Sequence, residues 1–142
     1  MQTLAIRGGD LVLVGGAFET LVGPARVAQD LRMALGEPLG NDRFHPGYGS
    51  RLEEYVGLPL TEAARYEVEQ EVGRVVGNYG AVQRDKIQRD TVAGVRSRYT
   101  TADVLSEVSD VLVASSLDTV AVRIGIRTAD GQTATVASGA GA

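Results

Sequence analysis

Four acidic side chains lie close to the only histidine of the chain, in and just before the glycine- and proline-rich stretch GNDRFHPGYGSRLEEYVGLP. They are Glu37, Asp42, Glu53 and Glu54. Two carboxyl groups on either side of a glycosidic bond can hydrolyse it when one of them is kept protonated. Glu53, however, stands three residues after Ser50, as in a helix capping box. The chain also has no Trp and only 5% aromatic residues, so it offers few side chains on which a sugar could stack. Hydrolysis by a carboxylate pair is therefore the alternative interpretation of this stretch, beside a corner that serves for docking.

Other catalytic and ligand-binding patterns are absent from the sequence. The chain has no cysteine, which excludes a disulfide framework and a thiolate site. Its single histidine, His45, precedes Pro46 in a predicted turn, where we expect a structural or exposed side chain rather than a zinc ligand. Neither a G-x-x-x-x-G-K-[ST] phosphate loop nor a G-x-S-x-G nucleophile elbow occurs. We therefore expect no catalytic residues, no metal and no cofactor.

The composition is typical of a globular protein and predicts a single domain over residues 1–142. Hydrophobic residues make up 44% of the chain and charged residues 23%. A formal net charge of −4 argues against a polyanionic partner, and the basic residues from Arg74 to Arg98 are interspersed with acidic residues, so no nucleic acid is expected. The sequence shows no basic leader with an apolar core and no apolar run of membrane-spanning length, so neither export nor membrane binding is expected.

Hydrophobic periodicity predicts an α+β fold that begins with an N-terminal extended arm or hairpin. This segment covers residues 1–23, with a tight turn at Gly15-Gly16 and a second extended run from Ala17 to Val22. A helical part, residues 24–98, follows. Its first helix begins at Pro24 and ends at Gly36, with Val27, Ala28, Leu31, Ala34 and Leu35 on the apolar face and Gln29, Asp30 and Arg32 on the polar face.

The helical part is predicted to hold three to four helices in total. A short helix from Arg51 to Val56 follows the capping box, and Thr61 caps the next one. That helix has an apolar face of Ala64, Val68, Val72, Val75, Val76 and Tyr79, with Glu62, Glu67, Glu69, Glu71 and Arg74 mostly on its other faces. Beyond Gly80 the apolar positions are sparse, and we predict a further helix that packs on a narrow stripe or on a partner.

The C-terminal part, residues 104–138, is predicted to be an antiparallel three-stranded meander. Alternation of apolar and polar residues from Val120 to Ile126 gives one buried and one wet face. The neighbouring strands are placed at about 108–114 and 132–137. A three-residue loop with Gly131 in the left-handed region places Ile126 opposite Ala134 and Ile124 opposite Val136. The tail, residues 139–142, is predicted to be disordered.

The glycine- and proline-rich stretch is predicted to form a tight corner whose shape matters more than its chemistry. Gly40, Pro46, Gly47 and Gly49 supply the turns. We expect Phe44 and Tyr48 to anchor the corner on the helix faces, and Arg43 and Arg51 to remain available for salt bridges with a partner or with nearby acids.

Taken in order, DLVLVGGAFETLVGPARVAQDLRMALGEPLGNDRFHPGYGSRLEEYVGLPLT resembles the small baseplate wedge family of contractile phage tails, whose relatives occur in type VI secretion and other contractile injection systems. Three parts carry the resemblance: an extended segment that leads into the VAQDLRMAL helix, the FHPGYGS turn that closes on Arg51 and Leu52, and the VGLPLT entry to the next helix. It covers Asp10 to about Tyr79 well and continues more loosely through the strand-rich C-terminus. The charged segment QRDKIQRDTVAGVRSRYTTADVL departs from the family pattern.

The resemblance implies a structural protein of the virion tail baseplate, assembled in the host cytoplasm and present as several copies in a ring. Its partners would be larger wedge subunits, the tail sheath protein and a central hub or tube protein, and its C-terminal sheet would initiate the sheath by strand addition. The family also carries a lysozyme label, so the alternative is a peptidoglycan-degrading tail enzyme; a free-standing cellular adaptor of the same fold is a third possibility. Partner contacts are expected at Arg43, Phe44, Tyr48, Arg51, Val111, Val113, Arg123 and Arg127.

Overall fold

A computed structural model describes residues 2–141. Its first part contains six two-residue strands, β1 to β6: Thr3–Leu4, Ile6–Arg7, Asp10–Leu11, Leu13–Val14, Ala17–Phe18 and Thr20–Leu21. The helices that follow are α1 (Gly23–Gly36), a 3₁₀ turn (Leu52–Tyr55) and α2 (Glu62–Val92). Three long strands complete the chain: β7 (Leu105–Ser115), β8 (Thr119–Thr128) and β9 (Thr133–Gly141).

The expectation of three to four helices is wrong, because residues 2–141 contain two α-helices and one 3₁₀ turn. The two segments on either side of Gly80 form a single helix of 31 residues. Its end beyond Gln83 is mostly exposed, so the apolar positions there are sparse without any break in the backbone. Once a helix is nucleated, each further residue adds a hydrogen bond at little cost, and Arg, Lys and Gln are good helix formers.

The N-terminal arm contains two small hairpins and a third pair of strands. The predicted turn at Gly15-Gly16 is confirmed, since β4 pairs with β5 around it, and a second hairpin joins β2 to β3 around Gly8-Gly9. Strands β1 and β6 pair with each other and so bring the two ends of the arm together. At its centre three backbone hydrogen bonds form a cycle, in which Ala5 N donates to Glu19 O, Glu19 N to Val12 O, and Val12 N to Ala5 O.

Helix α1 begins where predicted, but residue 103 satisfies one of its first amides. Gly23 has a φ of 62°, and its N–H donates to Asp103 Oδ1 at 2.8 Å. Of the apolar face, Val27, Leu31, Ala34 and Leu35 are buried as expected. Gln29, expected on the polar side, is also buried, because its side-chain amide bonds the arm.

The C-terminal sheet has the order β7-β8-β9, and the predicted register of its second hairpin is confirmed. Ile126 pairs with Ala134 and Ile124 with Val136, while Gly131 has a φ of 88°. Strand β9 runs to Gly141, so the expectation of a disordered tail is wrong for residues 139–141; Ala142 lies outside the described residues. The glycines there serve close strand approach, because a Cβ on Gly139 or Gly141 would collide with the backbone of β8 or the turn before it.

The core lies between one face of this sheet and the helices. Helix α1 packs mainly on β9, the 3₁₀ turn on β9 and β8, and α2 on β7. The largest fully buried side chains are Leu31, Leu35, Leu52, Ile124 and Ile126. On the opposite face of the sheet, Leu112, Arg123 and Arg127 are exposed. The architecture is therefore a two-layer α+β arrangement in which one face of the sheet, here called the naked face, is open to solvent.

Polar side chains link the two helices to the loop before β7. Tyr79 Oη donates to Asp30 Oδ2 at 2.9 Å, which joins α2 to α1. Gln83 Nε2 donates to Asp103 O, and Gln83 Oε1 accepts from Leu105 N. Burial raises the pKa of Asp30 despite the Tyr79 hydrogen bond and the nearby Arg26 guanidinium.

No helix within residues 2–141 combines the length and apolarity that a bilayer span requires.

Replacing Thr61 by Ala is expected to lower the free energy of unfolding by about 1 kcal/mol. The Thr61 hydroxyl accepts a hydrogen bond from Ala64 N at 3.1 Å and so caps α2, as predicted from the sequence. Urea denaturation of both proteins measures the difference. Thr61→Ser keeps the acceptor and should retain most of the stability, and equal losses in both variants would show that the cap is not the cause.

Candidate functional site

The two edges of the C-terminal sheet are its most distinctive feature. Strand β8 is central, and within residues 2–141 neither β7 nor β9 has a strand on its outer side. In an antiparallel sheet, alternate residues of an edge strand direct their N–H and C=O groups away from the neighbouring strand. The hydrogen bond from Ser116 N to Thr119 O sets this alternation for β7, so that Val111 and Val113 direct their backbone groups outward.

The β7 edge is partly capped by a side chain from α2. Arg65 Nη1 donates to Val113 O at 3.0 Å, which occupies one of the outward carbonyls. Further along, β7 borders a groove of about 410 Å³ between the strand and α2. Residues 105–108 and Val111 line one wall of this groove, and Glu69, Gly73, Gly77, Gly80 and Arg84 belong to the other.

The β9 edge borders a second groove of about 420 Å³, bounded by the arm and α1. The hydrogen bond from Thr128 N to Gln132 O sets the alternation here, so that Thr135 and Ala137 direct their backbone groups outward. Residues 134–137 line the groove, opposite Ile6 and Arg7 of the arm. Unlike the β7 edge, this edge shows no side-chain cap on Thr135 or Ala137 among the hydrogen bonds of the described residues.

Gln29 holds the arm in the position that shapes this second groove. Its Nε2 donates to Leu4 O and its Oε1 accepts from Ile6 N, both at 2.8 Å, so the side-chain amide acts as a strand partner for the arm. Arg32 Nη2 adds a bond to Ile6 O at 2.9 Å. The helical period places Gln29 on the polar side of α1, and local periodicity gives no signal for its contact with the arm.

The predicted corner is real, and it is fixed by backbone contacts with the end of α1. Gly49 has a φ of 102°, and a Cβ there would lie 2.5 Å from Glu37 O. Ser50 N donates to Glu37 O, and Leu39 N donates to Ser50 O. The Ser50 hydroxyl donates to Leu35 O at 2.5 Å. The predicted Ser50–Glu53 capping box is therefore wrong, because a buried carbonyl of α1 takes the hydroxyl and only the 3₁₀ turn follows.

The residue that holds the corner against α2 is Glu71, which helical periodicity places on the polar side of that helix. Its side chain is 4% exposed, and its carboxylate accepts from Arg51 N, from the Arg51 guanidinium and from Arg74 Nε and Nη2. Arg74 Nη2 also donates to Gly49 O at 2.8 Å. Burial alone would raise the pKa of Glu71, but the hydrogen bonds from Arg74 and Arg51 outweigh it and hold that pKa below its ordinary value.

The eight predicted contact residues fall into two separate groups. Arg43, Phe44, Tyr48 and Arg51 belong to the corner, while Val111, Val113, Arg123 and Arg127 belong to the sheet. Phe44 is 87% exposed, so the expectation that it anchors the corner on the helices is wrong, whereas Tyr48 is half-buried and packs against the core. Arg51 pairs with the nearby acid Glu71 at 3.3 Å, one of the two alternatives expected for it, and its side chain stays 53% exposed.

On the sheet, Val113 is buried in the core and Val111 packs against it, so only the backbone of these residues faces the β7 edge. Arg123 and Arg127 lie on the naked face, where Arg127 pairs with Glu107 at 3.3 Å.

The candidate acids are spread over the corner, where two of them share a groove. Asp42 accepts from the backbone of Phe44 and His45 and lies 3.0 Å from His45 Nδ1; the Phe44 amide and the His45 ring hold the pKa of Asp42 below its ordinary value. Glu37 and Glu53 line a small groove of about 240 Å³, and Glu54 is exposed. Within residues 2–141 no cluster of three or more His, Asp and Glu side chains is arranged to hold a metal ion.

Comparison of the chain with protein-family models, with curated proteins and with solved structures gives no match.

Replacing Gly49 by Ala is expected to cost about 3 kcal/mol of unfolding free energy, because it combines a left-handed backbone with a steric conflict against Glu37 O and Pro38 O. Gly40→Ala is the matched control: Gly40 has a φ of 82° but open space around the position of a Cβ, so we expect a loss of only about 1 kcal/mol. Thermal and urea unfolding measure both. Equal losses would show that close packing of the corner on α1 contributes nothing.

Replacing Glu71 by Gln is expected to lower the free energy of unfolding at pH 7 by about 2 kcal/mol, since charge-assisted hydrogen bonds to both arginines are lost. The pKa of Glu71 is lower in the folded than in the unfolded state, so its contribution is present above its unfolded value, near 4.5, and is lost as the pH falls below it. The difference in unfolding free energy between the original chain and Glu71→Gln should therefore become smaller below about pH 4.5. A gap independent of pH between 7 and 3 would contradict this role.

Proposed function

We propose that this protein is a structural baseplate wedge subunit of a contractile tail, which links wedge and hub proteins and initiates sheath assembly by strand addition to its C-terminal sheet. The proposal rests on the family resemblance of residues 10–79 and on one structural observation. That observation is the C-terminal sheet, in which neither β7 nor β9 has a further strand of the described residues on its outer side and each lies beside a groove.

An open edge favours a partner that supplies an extended strand. Unpaired N–H and C=O groups in a row form a template for strand addition, in which main-chain hydrogen bonds give affinity and alternate side chains give specificity. Of the two edges, we favour β9 as the acceptor. Thr135 and Ala137 present uncapped outward groups, while Arg65 already takes the Val113 carbonyl on β7.

Two further surfaces suit the wedge and hub contacts. Phe44 and Arg43 lie exposed on a corner whose backbone is fixed by Gly49, Ser50 and Glu71, so a partner would meet a preformed shape. The arm exposes Leu13, Val14 and Phe18, each more than half accessible to solvent. Exposed apolar side chains grouped in this way commonly mark protein contacts. Larger wedge subunits are the partners expected for the corner, and the hub or tube protein for the arm.

The proposal is tested by expressing the complete tail gene cluster with and without this protein. A tagged copy should co-purify with the baseplate, and electron microscopy of particles made without it should show defective baseplates or tails that lack a sheath. Intact sheathed tails in its absence, together with cleavage of peptidoglycan by the purified chain, would instead favour the enzymatic alternative.

Replacing Ala137 by Pro is expected to abolish sheath addition while preserving the fold. The outward N–H of Ala137 takes no part in pairing with β8, and proline is tolerated at such positions of edge strands. Ala137→Ser keeps the N–H and serves as the control. Circular dichroism checks the fold of both variants, and sheath assembly on purified baseplates provides the readout; normal assembly with the proline variant would exclude β9 as the acceptor edge.

A further inference from the structure

Helix α2 presents one face that no part of the described chain covers fully. Residues spaced by three and four along the helix share this face, which we call the glycine face. It consists of Glu62, Tyr66, Glu69, Gly73, Gly77, Gly80, Arg84 and Ile87. Part of it forms the wall of the groove beside β7, and Tyr66, Gly73, Gly77 and Arg84 are exposed.

Nothing within the described chain explains the two central glycines. A Cβ at Gly73 or Gly77 would meet no atom within 4 Å, and neither residue has a positive φ. Glycine in the middle of a helix nevertheless lowers stability relative to alanine, because the unfolded backbone loses more conformational freedom on folding. A chain that retains glycine at both exposed positions leaves room there for a closely approaching backbone.

The charges of the glycine face are complementary to those of the same face on a second helix that runs antiparallel to it. Glu69 lies seven residues before Val76, and Arg84 lies seven residues after Gly77. In the same way Tyr66 and Ile87 are equidistant from this centre, and so are Gly73 and Gly80. Within residues 2–141 neither Glu69 nor Arg84 forms an ion pair, so both charges are available to a partner.

We propose that a second copy of this chain docks on the glycine face with its own α2 antiparallel, forming a two-fold symmetric dimer centred between Val76 and Gly77. Glu69 of each copy then faces Arg84 of the other, and Tyr66 faces Ile87. Gly73 and Gly77, which have open space around them, lie next to the crossing, where small residues permit a short distance between the helix axes. An isologous contact of this kind closes on itself and adds no third copy.

This contact is distinct from the strand addition proposed above. It uses α2 and the groove beside β7, whereas β9 is the far edge of the sheet and stays open in the dimer. The two proposals therefore stand or fall separately.

Sedimentation velocity of the purified full chain, over a range from micromolar to about 1 mM, tests the dimer. Gly77→Leu should prevent association, and Gly73→Ala with Gly77→Ala should weaken it by about tenfold or more while leaving the melting temperature of the monomer unchanged or higher. Asn78→Ala, on the opposite side of α2, is the control and should associate like the original chain. A chain that stays monomeric throughout, or a dimer that survives Gly77→Leu, overturns the proposal.

Charge exchange tests the antiparallel arrangement. Glu69→Arg and Arg84→Glu should each associate poorly alone, because like charges then face one another. An equal mixture of the two variants should dimerise, and so should the chain that carries both substitutions. No recovery in either case contradicts the pairing of Glu69 with Arg84.

Cross-linking detects the dimer even where a substitution weakens it, because oxidation traps the associated pair covalently. Since the chain has no cysteine, Gly77→Cys introduces a single thiol close to the two-fold axis, which should form a disulfide with its copy under mild oxidation. Asn78→Cys should not. Equal cross-linking of both variants, or of neither, would contradict the dimer.

Discussion

The buried carboxylate of Glu71 is the interaction on which the arrangement of the helical layer depends. It takes four hydrogen bonds from Arg51 and Arg74, and these two residues belong to the corner and to α2. Because Ser50 is bonded in turn to Leu35 and Glu37, one acidic group connects α2, the corner and the end of α1. A buried charge is costly unless its lone pairs are filled, which explains why so many donors converge here.

The sheet follows a different physical rule, since alternation of side chains decides which face is covered. Val120, Val122, Ile124 and Ile126 point to the helices and are buried, while Arg123 and Arg127 stay in water. Small residues permit the closest contacts: Gly125 lies opposite the irregularity at Ser109, where a Cβ would meet the side chains of Ser109 and Asp110. The sheet is thereby complete on one face and open at both edges.

Local patterns predict the parts of this fold that local forces determine. The period of two and the Gly131 turn are sufficient to place Ile124 opposite Val136, and the Thr61 cap follows from its position before an acidic, amphipathic run. Contacts between polar groups distant in sequence leave no such periodic trace. Gln29, Glu71 and Asp103 are buried, and each bonds a partner 20 or more residues away in the sequence. Periodicity therefore places Gln29 and Glu71 on the solvent-exposed side of their helices.

The same limits apply to the candidate site. The corner and the open sheet could be predicted, because turn residues and alternation mark them in the sequence. The cap on Val113 by Arg65 and the shape of the groove beside β9 could not, since each requires the relative placement of two elements. The helix count failed for a related reason: an exposed helix end has no apolar stripe, and its continuity is visible only in the backbone.

The packing of α1 on β9 has a consequence for the order in which native contacts form during translation. The strand on which the helix mainly packs, β9, follows it in sequence only after α2, β7 and β8, and the acceptor for its first amide, Asp103, lies 80 residues after Gly23. Native contacts of such sequence separation form slowly, because the intervening chain must first be brought together. During translation α1 can bond the arm first and α2 next, but the apolar face that packs on β9 stays uncovered by the sheet until that strand has emerged.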